Sequence, residues 1–446
     1  MRSAYAVFSD HAPPSATFSD RPNVKWLALI FSLTVAVPLL AQRMAKSERI
    51  RRIVVVLLGF DLFNPSHINL ISDETYRGES RGIEVTSVDL LVFALALSQL
   101  HRKRPINGPY RFVAVRLIYF VFVLLSLTAT PDMLRSSFSV WKLVRMYFTF
   151  SVLASVFLEL AMVRAVLDGL ALGVIAQGLM AGQQKFIVHM ARSIGSQSHP
   201  NSLAMIVNII SPIAFALILT GAGNRLTPFV VLSGALSVVF SLSRGGMAMF
   251  VMAIGLVIMG SFVRGPTVRK VGVTVAFLVA GLVGLAVFAK QIIKRFVEAP
   301  KESELARKLF NQAAKAMADE HNFGIGINMY SLVLDRGGYA DRLHIDLGDR
   351  NGIAHHIYWL TAAELGYTGC GTYLLMLATV YFALLRASFF PGVRGDIALG
   401  MTAGLTVTFL QGTAEWIARQ TTMSYCFYVF MALASSFYAQ RQEDKG

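Results

Sequence analysis

The residues best suited to chemistry lie in Asn351–Gly371, NGIAHHIYWLTAAELGYTGCG, where a long polar segment runs into an apolar one. His355 and His356 mark the crossing. Imidazole titrates near neutrality without any perturbation, so it can take a proton from a hydroxyl. Tyr358 and Trp359 follow, as aromatics do at a membrane–water interface. Glu364 comes next, inside an apolar run, nine residues past His355. That spacing is about 13 Å along a helix, so pairing with an arginine suits Glu364 better than shared proton transfer. An acid and two histidines at such a border are costly unless something uses them. The plainer alternative for either histidine is a hydrogen bond at the interface.

Cations recur at the same kind of border. Ser243-Arg244-Gly245-Gly246 sits between two apolar runs. It places a guanidinium beside a helix start, whose positive end and planar fork both suit phosphate. Taken alone, an arginine there also fits a side chain reaching for lipid headgroups. Lys290, Lys294 and Arg295 precede an amphipathic stretch that carries Arg307. Each is an ordinary solvated charge by itself; as a set they suit an anionic head such as a diphosphate. Ser198-His199-Pro200-Asn201 opens another apolar run. His199 reads there as a loop residue, with Asn201 or Ser202 as helix cap. No metal ligands stand at metal-binding spacing: His344, Asp346 and Asp349 are too loose a group. A phosphate-cradling loop, a dinucleotide fingerprint and a nucleophile elbow are all missing from the sequence, so no cofactor is expected.

These residues must be held by apolar helices. The chain has 446 residues, 55% hydrophobic and 15% charged, with a mean hydropathy of +0.56. Soluble domains carry nearer ~25% charge. Apolar runs recur along the whole length, which predicts an all-α, polytopic membrane protein with about 12–13 transmembrane helices. The net charge of +15 follows from basic loops on one side of a bilayer, not from a nucleic-acid partner. Arg43–Arg52, Arg102–Arg104 and Arg264–Lys270 mark the cytoplasmic side. Segments 64–85, 182–200 and 290–355 then face outward. Residues 1–23 read as a disordered lead, 24–289 as spanning helices, 290–355 as a large outer loop with short helices, 356–440 as the last spans and 441–446 as a tail. Cys370 and Cys426 lie in apolar runs and read as free, buried thiols.

Four short pieces in order resemble the O-antigen ligase and polymerase superfamily of bacterial membrane glycosyltransferases. They are Ser196–Leu203 (SQSHPNSL), Ser243-Arg244-Gly245, the stretch Arg307–Tyr330 with His321–Gly326 (HNFGIG) where the family has PxxGxG, and Ala354–Gly369 (AHHIYWLTAAELGYTG). The sequence departs from the family twice, with His321 in place of proline and His356 in place of asparagine; alignment on Tyr358 favours His355 as the working histidine. The resemblance implies metal-independent, inverting transfer of a glycan from undecaprenyl diphosphate to a sugar hydroxyl, at the periplasmic face of the inner membrane. Arg244, Arg307, Lys290 and Arg295 would hold the diphosphate, His355 or His356 would activate the hydroxyl, and His199, Asn201, Tyr358 and Glu364 would support them. The acceptor is either another lipid-linked repeat unit or lipid A–core. Polymerisation is the reading preferred, on the polar segment 64–85 with Arg77 and Arg81. The rival of another class is a flippase or exporter of lipid-linked sugars, with Arg116, Arg145, Glu159 and Asp168 as candidates to line its cavity.

Overall fold

A computed structural model describes residues 22–103, 112–297 and 301–443. The lead expected over 1–23, apart from its last two residues, lies outside the described residues, as do Arg104, Pro300 and the end of the tail expected over 441–446. The first helix, α1 (Pro22–Phe31), passes through a π turn into α2 (Val37–Lys46). Then come α3 (Glu48–Asp61), two strands, α4 (Ser87–His101), α5 (Val113–Ser126), α6 (Met133–Val156), α7 (Leu160–Phe186), α8 (Pro200–Thr220), α9 (Thr227–Ser241), α10 (Arg244–Val263) and α11 (Val268–Val297). A group of shorter helices follows: α12 (Lys301–Glu320), α13 (Tyr330–Arg336) and α14 (Tyr339–Arg342). The chain ends in α15 (Ile357–Ala387), α16 (Val393–Gln411) and α17 (Thr421–Glu443). Among the described residues six helices are long and apolar enough to cross a membrane, and three shorter ones are apolar as well. The chain is therefore a mostly helical, multi-pass membrane protein.

The all-helical expectation needs one amendment. Segment 64–85 contains an antiparallel hairpin, β1 (His67–Ser72) with β2 (Gly82–Thr86), paired from His67 opposite Thr86 to Ser72 opposite Gly82 with a one-residue register shift between Asn69 and Ile71. The reason is local. GIEVT and the start of HINLIS alternate apolar and polar side chains, which suits a half-buried strand and not a helix; the alternation in HINLIS breaks at Leu70-Ile71, where the register shifts. Thr86 ends the hairpin and begins α4, where Thr86 and Asp89 cap one another's backbone N–H groups.

Two apolar cores hold the molecule. The larger joins the long helices; the smaller packs α12 and α13 onto the start of α15 through Phe310, Met317, Tyr330, Leu334 and Leu360. Helices cross closely where glycine permits: a Cβ on Gly169 would lie 2.1 Å from the Val56 carbonyl, and one on Gly246 would lie 2.4 Å from the Ala204 Cβ. The free thiols Cys370 and Cys426 are both buried.

The long helix α15 is kinked at a glycine. Gly366, with φ 71° and ψ 172°, breaks α15 into a short first piece and a long second one. A helix cannot continue through that conformation, so the carbonyls of Ala363 and Glu364 need other donors. Ile325 N–H donates to Ala363 at 2.9 Å and Gly326 N–H to Glu364 at 3.1 Å. Gly324 and Gly326 both have positive φ and lie too close to neighbouring backbone or side chains for a Cβ. The HNFGIG and ELGYTG stretches are thus two halves of one junction, which fixes the direction of the short helix behind His355 and His356.

Candidate functional site

The site is a cluster of cations around one buried carboxylate, Glu415, in the turn between α16 and α17. Glu415 is 6% exposed. Asn201 Nδ2 donates to its Oε1 at 2.6 Å. His355 Nδ1 lies 3.3 Å from Oε2, and Arg307 NH1 lies 3.4 Å from Oε1. Burial by itself would raise the Glu415 pKa. The bond from His355 and the charges of Arg307, His355 and His199 outweigh it and hold the carboxyl below its usual range.

Each partner is placed by a separate piece of local structure. His199 is the N-cap of α8, with Pro200 at the first helical position; its Nδ1 accepts the Asn201 N–H at 3.2 Å. This corrects the expectation that Asn201 or Ser202 caps that helix, and it frees the Asn201 side chain to reach Glu415. Arg244 is the first residue of α10, capped by Ser243 Oγ on Gly246 N–H. The residue before the cap, Leu242, has a φ of 48°, and its carbonyl accepts Arg295 Nε at 3.3 Å. Arg307 projects from α12. His355 lies in the loop before α15, and its ring stacks on Phe310 with centroids 6.5 Å apart and planes inclined by 23°.

A further arginine joins the set. Arg192 NH2 donates to Asn201 Oδ1 at 3.1 Å and its Nε to the Ser241 carbonyl at 3.1 Å. Burial lowers its pKa to about 10; the charges of Arg295, Arg307 and Arg244 add to this, against the pull of Glu415. Burial also lowers the pKa of His199, with Arg192 and Arg307 contributing and Glu415 opposing. Four guanidiniums therefore share a region with a single carboxylate. Their mutual repulsion is relieved by an anion carrying more than one charge. At the edge of the same region, a Nδ1–H donated to Glu415 leaves His355 Nε2 with its lone pair, ready to accept a proton from a hydroxyl.

Of the residues singled out in the sequence, His355, Arg244, Arg307, Arg295, His199 and Asn201 meet here. The others go elsewhere. His356 is the N-cap of α15: its Nδ1 accepts the Trp359 N–H at 3.3 Å and its ring rests against Tyr358 and Trp359. Burial lowers its pKa. Tyr358 donates its hydroxyl to the Phe409 carbonyl at 2.8 Å. Glu364 pairs with Arg419 at 2.6 Å. Lys290 is exposed on α11 and makes no hydrogen bond or ion pair to a described residue.

Glu415 and Arg192 are the two members sequence reasoning missed. Glu415 carried the same signal as Glu364, an acid at the edge of an apolar run, in GTAEWIARQ. Arg192 lies within the polar segment 182–200 beside His199 and had no motif around it. Compared with known proteins, the chain matches no family model and no curated protein.

Proposed function

We propose that the protein is a membrane glycosyltransferase that moves a glycan from a polyprenyl diphosphate to a sugar hydroxyl, on the periplasmic side of the inner membrane. The observation that carries this reading is the meeting of His355 and Arg307 on Glu415, with Arg192 joined through Asn201 and Arg244 and Arg295 within electrostatic reach of Arg192. An anion site and a proton acceptor side by side are what attack on a glycosyl diphosphate requires.

In this reading the arginines bind the diphosphate and stabilise the charge that grows as it leaves, work that a divalent cation does in other enzymes. His355 Nε2 takes the acceptor proton as the hydroxyl oxygen attacks the anomeric carbon. The sugar–phosphate bond breaks with its electron pair going to the diphosphate, and Glu415 stabilises the imidazolium that results. Attack opposite the leaving group inverts the anomeric centre. Helix ends alternate between two faces of the bundle. Lys25 donates to Asn69 of the hairpin, while Arg51 and Arg102 pair with Glu159 at the far end. This supports a cluster on the hairpin's side of the bundle, opposite the basic loops.

The exporter reading asks for charged residues along a central cavity. The four candidates are occupied: Arg145 pairs with Glu84 and Asp89, Glu159 with Arg51 and Arg102, Asp168 bonds Asn224, and Arg116 lies over the rings of Phe150 and Tyr147. An internal cavity does exist, lined by Glu79, Lys142, Arg419, tyrosines and many apolar side chains; its charges are paired, Lys142 and Arg419 with Glu79 and Arg419 also with Glu364. Transfer is therefore the better-supported function.

The test is incubation of purified protein with lipid-linked repeat units, alone and with lipid A–core, in EDTA. A product ladder without core identifies a polymerase; a shift only with core identifies a ligase. Wild-type product that persists unchanged in His355→Ala removes His355 as the base, and no product with either acceptor overturns the proposal.

A further inference from the structure

The His355–Glu415 contact joins two segments that come from separate parts of the chain. His355 precedes the short first piece of α15, which is cut from the rest of the helix at Gly366. Glu415 stands, buried, in the turn after α16. One buried group ties both segments to the rest of the molecule. The Arg419 guanidinium donates to Glu364 Oε2 at 2.6 Å and to Thr361 Oγ1 at 3.3 Å, both on that short first piece. Its Nε pairs with Glu79, in the loop between β1 and β2. Lys142 of α6 bonds Glu79 at 2.7 Å and the Arg419 carbonyl at 3.0 Å. At the other end of the turn, the Gly412 carbonyl accepts Ile357 N–H at 2.8 Å.

The four charges of this group are all buried. Buried ion pairs add little net stability compared with apolar packing, so their presence calls for a geometric explanation. The hairpin loop is itself anchored: the Tyr76 hydroxyl donates to the Asn328 carbonyl, and Asn328 Nδ2 donates to the Ser80 carbonyl at 2.9 Å. Glu79 thereby reaches Arg419 from a fixed base. Arg419 stands four residues after Glu415 in a turn held at both ends, and three residues of the His355 helix begin the same hydrogen-bond set.

We infer that Arg419, locked by Glu79 and Glu364, is a positioning residue that holds Glu415 against His355. It touches neither the anion region nor the reacting atoms; it acts through the geometry of the two segments it joins. The inference rests on the proposed transfer reaction, so one of its tests is independent of activity.

The test uses full-length protein in nanodiscs with Glu79→Gln, Arg419→Lys and the milder Thr361→Val. Small displacements at a reacting centre cost on the order of a hundredfold. Glu79→Gln and Arg419→Lys are expected to lower kcat by about ten- to a hundredfold with donor KM within about twofold. Thr361→Val, which removes the bond from Arg419 and the hydroxyl's own bond to the Ile357 carbonyl but no charge, lowers kcat less. Added to Glu415→Gln, each change costs much less than it does alone, whereas added to Arg244→Lys it costs the same. Independent of turnover, the Nδ1 chemical shift of labelled His355, assigned with His355→Ala, moves in Glu79→Gln in the direction it moves in Glu415→Gln. An unmoved shift, or losses that add fully to that of Glu415→Gln, overturns the inference. An inactive wild type with a shift that moves as expected overturns the proposed reaction and leaves the positioning role standing.

Discussion

Glu415→Gln is the most direct probe of the site, because it keeps the side-chain volume and removes only charge and one acceptor. Glu415 holds Asn201 at 2.6 Å, His355 at 3.3 Å and Arg307 at 3.4 Å. The glutamine carbonyl can keep the Asn201 bond. That oxygen also stays toward Arg307, while the amide nitrogen, at the other oxygen's position, faces His355. A hydrogen bond to a charged group is worth about 1.5–3 kcal/mol, and each 1.36 kcal/mol in a barrier is about tenfold in rate. Loss of the charge on His355 alone therefore lowers kcat by about 10- to 150-fold. An amide that donates to Nδ1 forces the imidazole proton onto Nε2 and blocks it as a base; a carboxylate-to-amide change of this type costs up to ~10⁴ in serine protease triads. The expected loss is at least tenfold, in kcat. Donor KM changes less, because four guanidiniums remain. The assay is transfer from a lipid-linked donor by protein reconstituted in nanodiscs, with saturating acceptor and varied donor, alongside a melting curve to show that the variant is folded. A folded variant whose kcat stays within twofold of wild type refutes the alignment of His355 by Glu415. A variant with normal kcat and a large rise in donor KM refutes it too, and assigns Glu415 to the anion region.

The remaining predictions address the donor site, the junction and the pH response. Arg244→Ala should raise donor KM by about tenfold or more, and Arg244→Lys should recover only part of that, because an ammonium cannot span two phosphate oxygens; complete rescue by lysine in the same assay would reduce Arg244 to a point charge. Gly366→Ala should lower the melting temperature, since its Cβ would lie 2.1 Å from the Asn322 carbonyl and φ is 71°. Strain of this type costs about 1–3 kcal/mol before any clash, and an unchanged melting curve would mean that the junction tolerates another backbone path. The depressed pKa of Glu415 makes its stabilising effect present above the ordinary carboxylate pKa and lost as pH falls through the lowered value. Melting temperature against pH should therefore fall less steeply on the acid side for Glu415→Gln than for wild type.

Much of the site was legible before any coordinates because membranes make ionisable residues expensive. His355, Arg244, Arg295, His199 and Asn201 each stand near where an apolar run begins or ends, and a border position limits a charged side chain to one surface of the bilayer; Arg307 stood out instead on an amphipathic helix. Helical spans follow from apolar runs for a related reason: backbone groups in lipid must bond within their own segment. The hairpin was hidden in a polar segment whose strands are only five or six residues long.

Partnership was what the linear order left open. Glu415 and Glu364 are both acids beside apolar runs, and nothing local separates the one that meets His355 from the one that meets Arg419. His355 and His356 are adjacent, yet one reaches Glu415 and the other caps a helix, because the short piece of α15 begins between them and Gly366 sets its direction. Asn201 and Glu415 are 214 positions apart. Their contact depends on how α8 and α16 pack, and packing depends on side-chain shape summed over many residues. Composition and borders therefore determined which residue types would gather at a membrane surface, while the fold alone decided which of them touch.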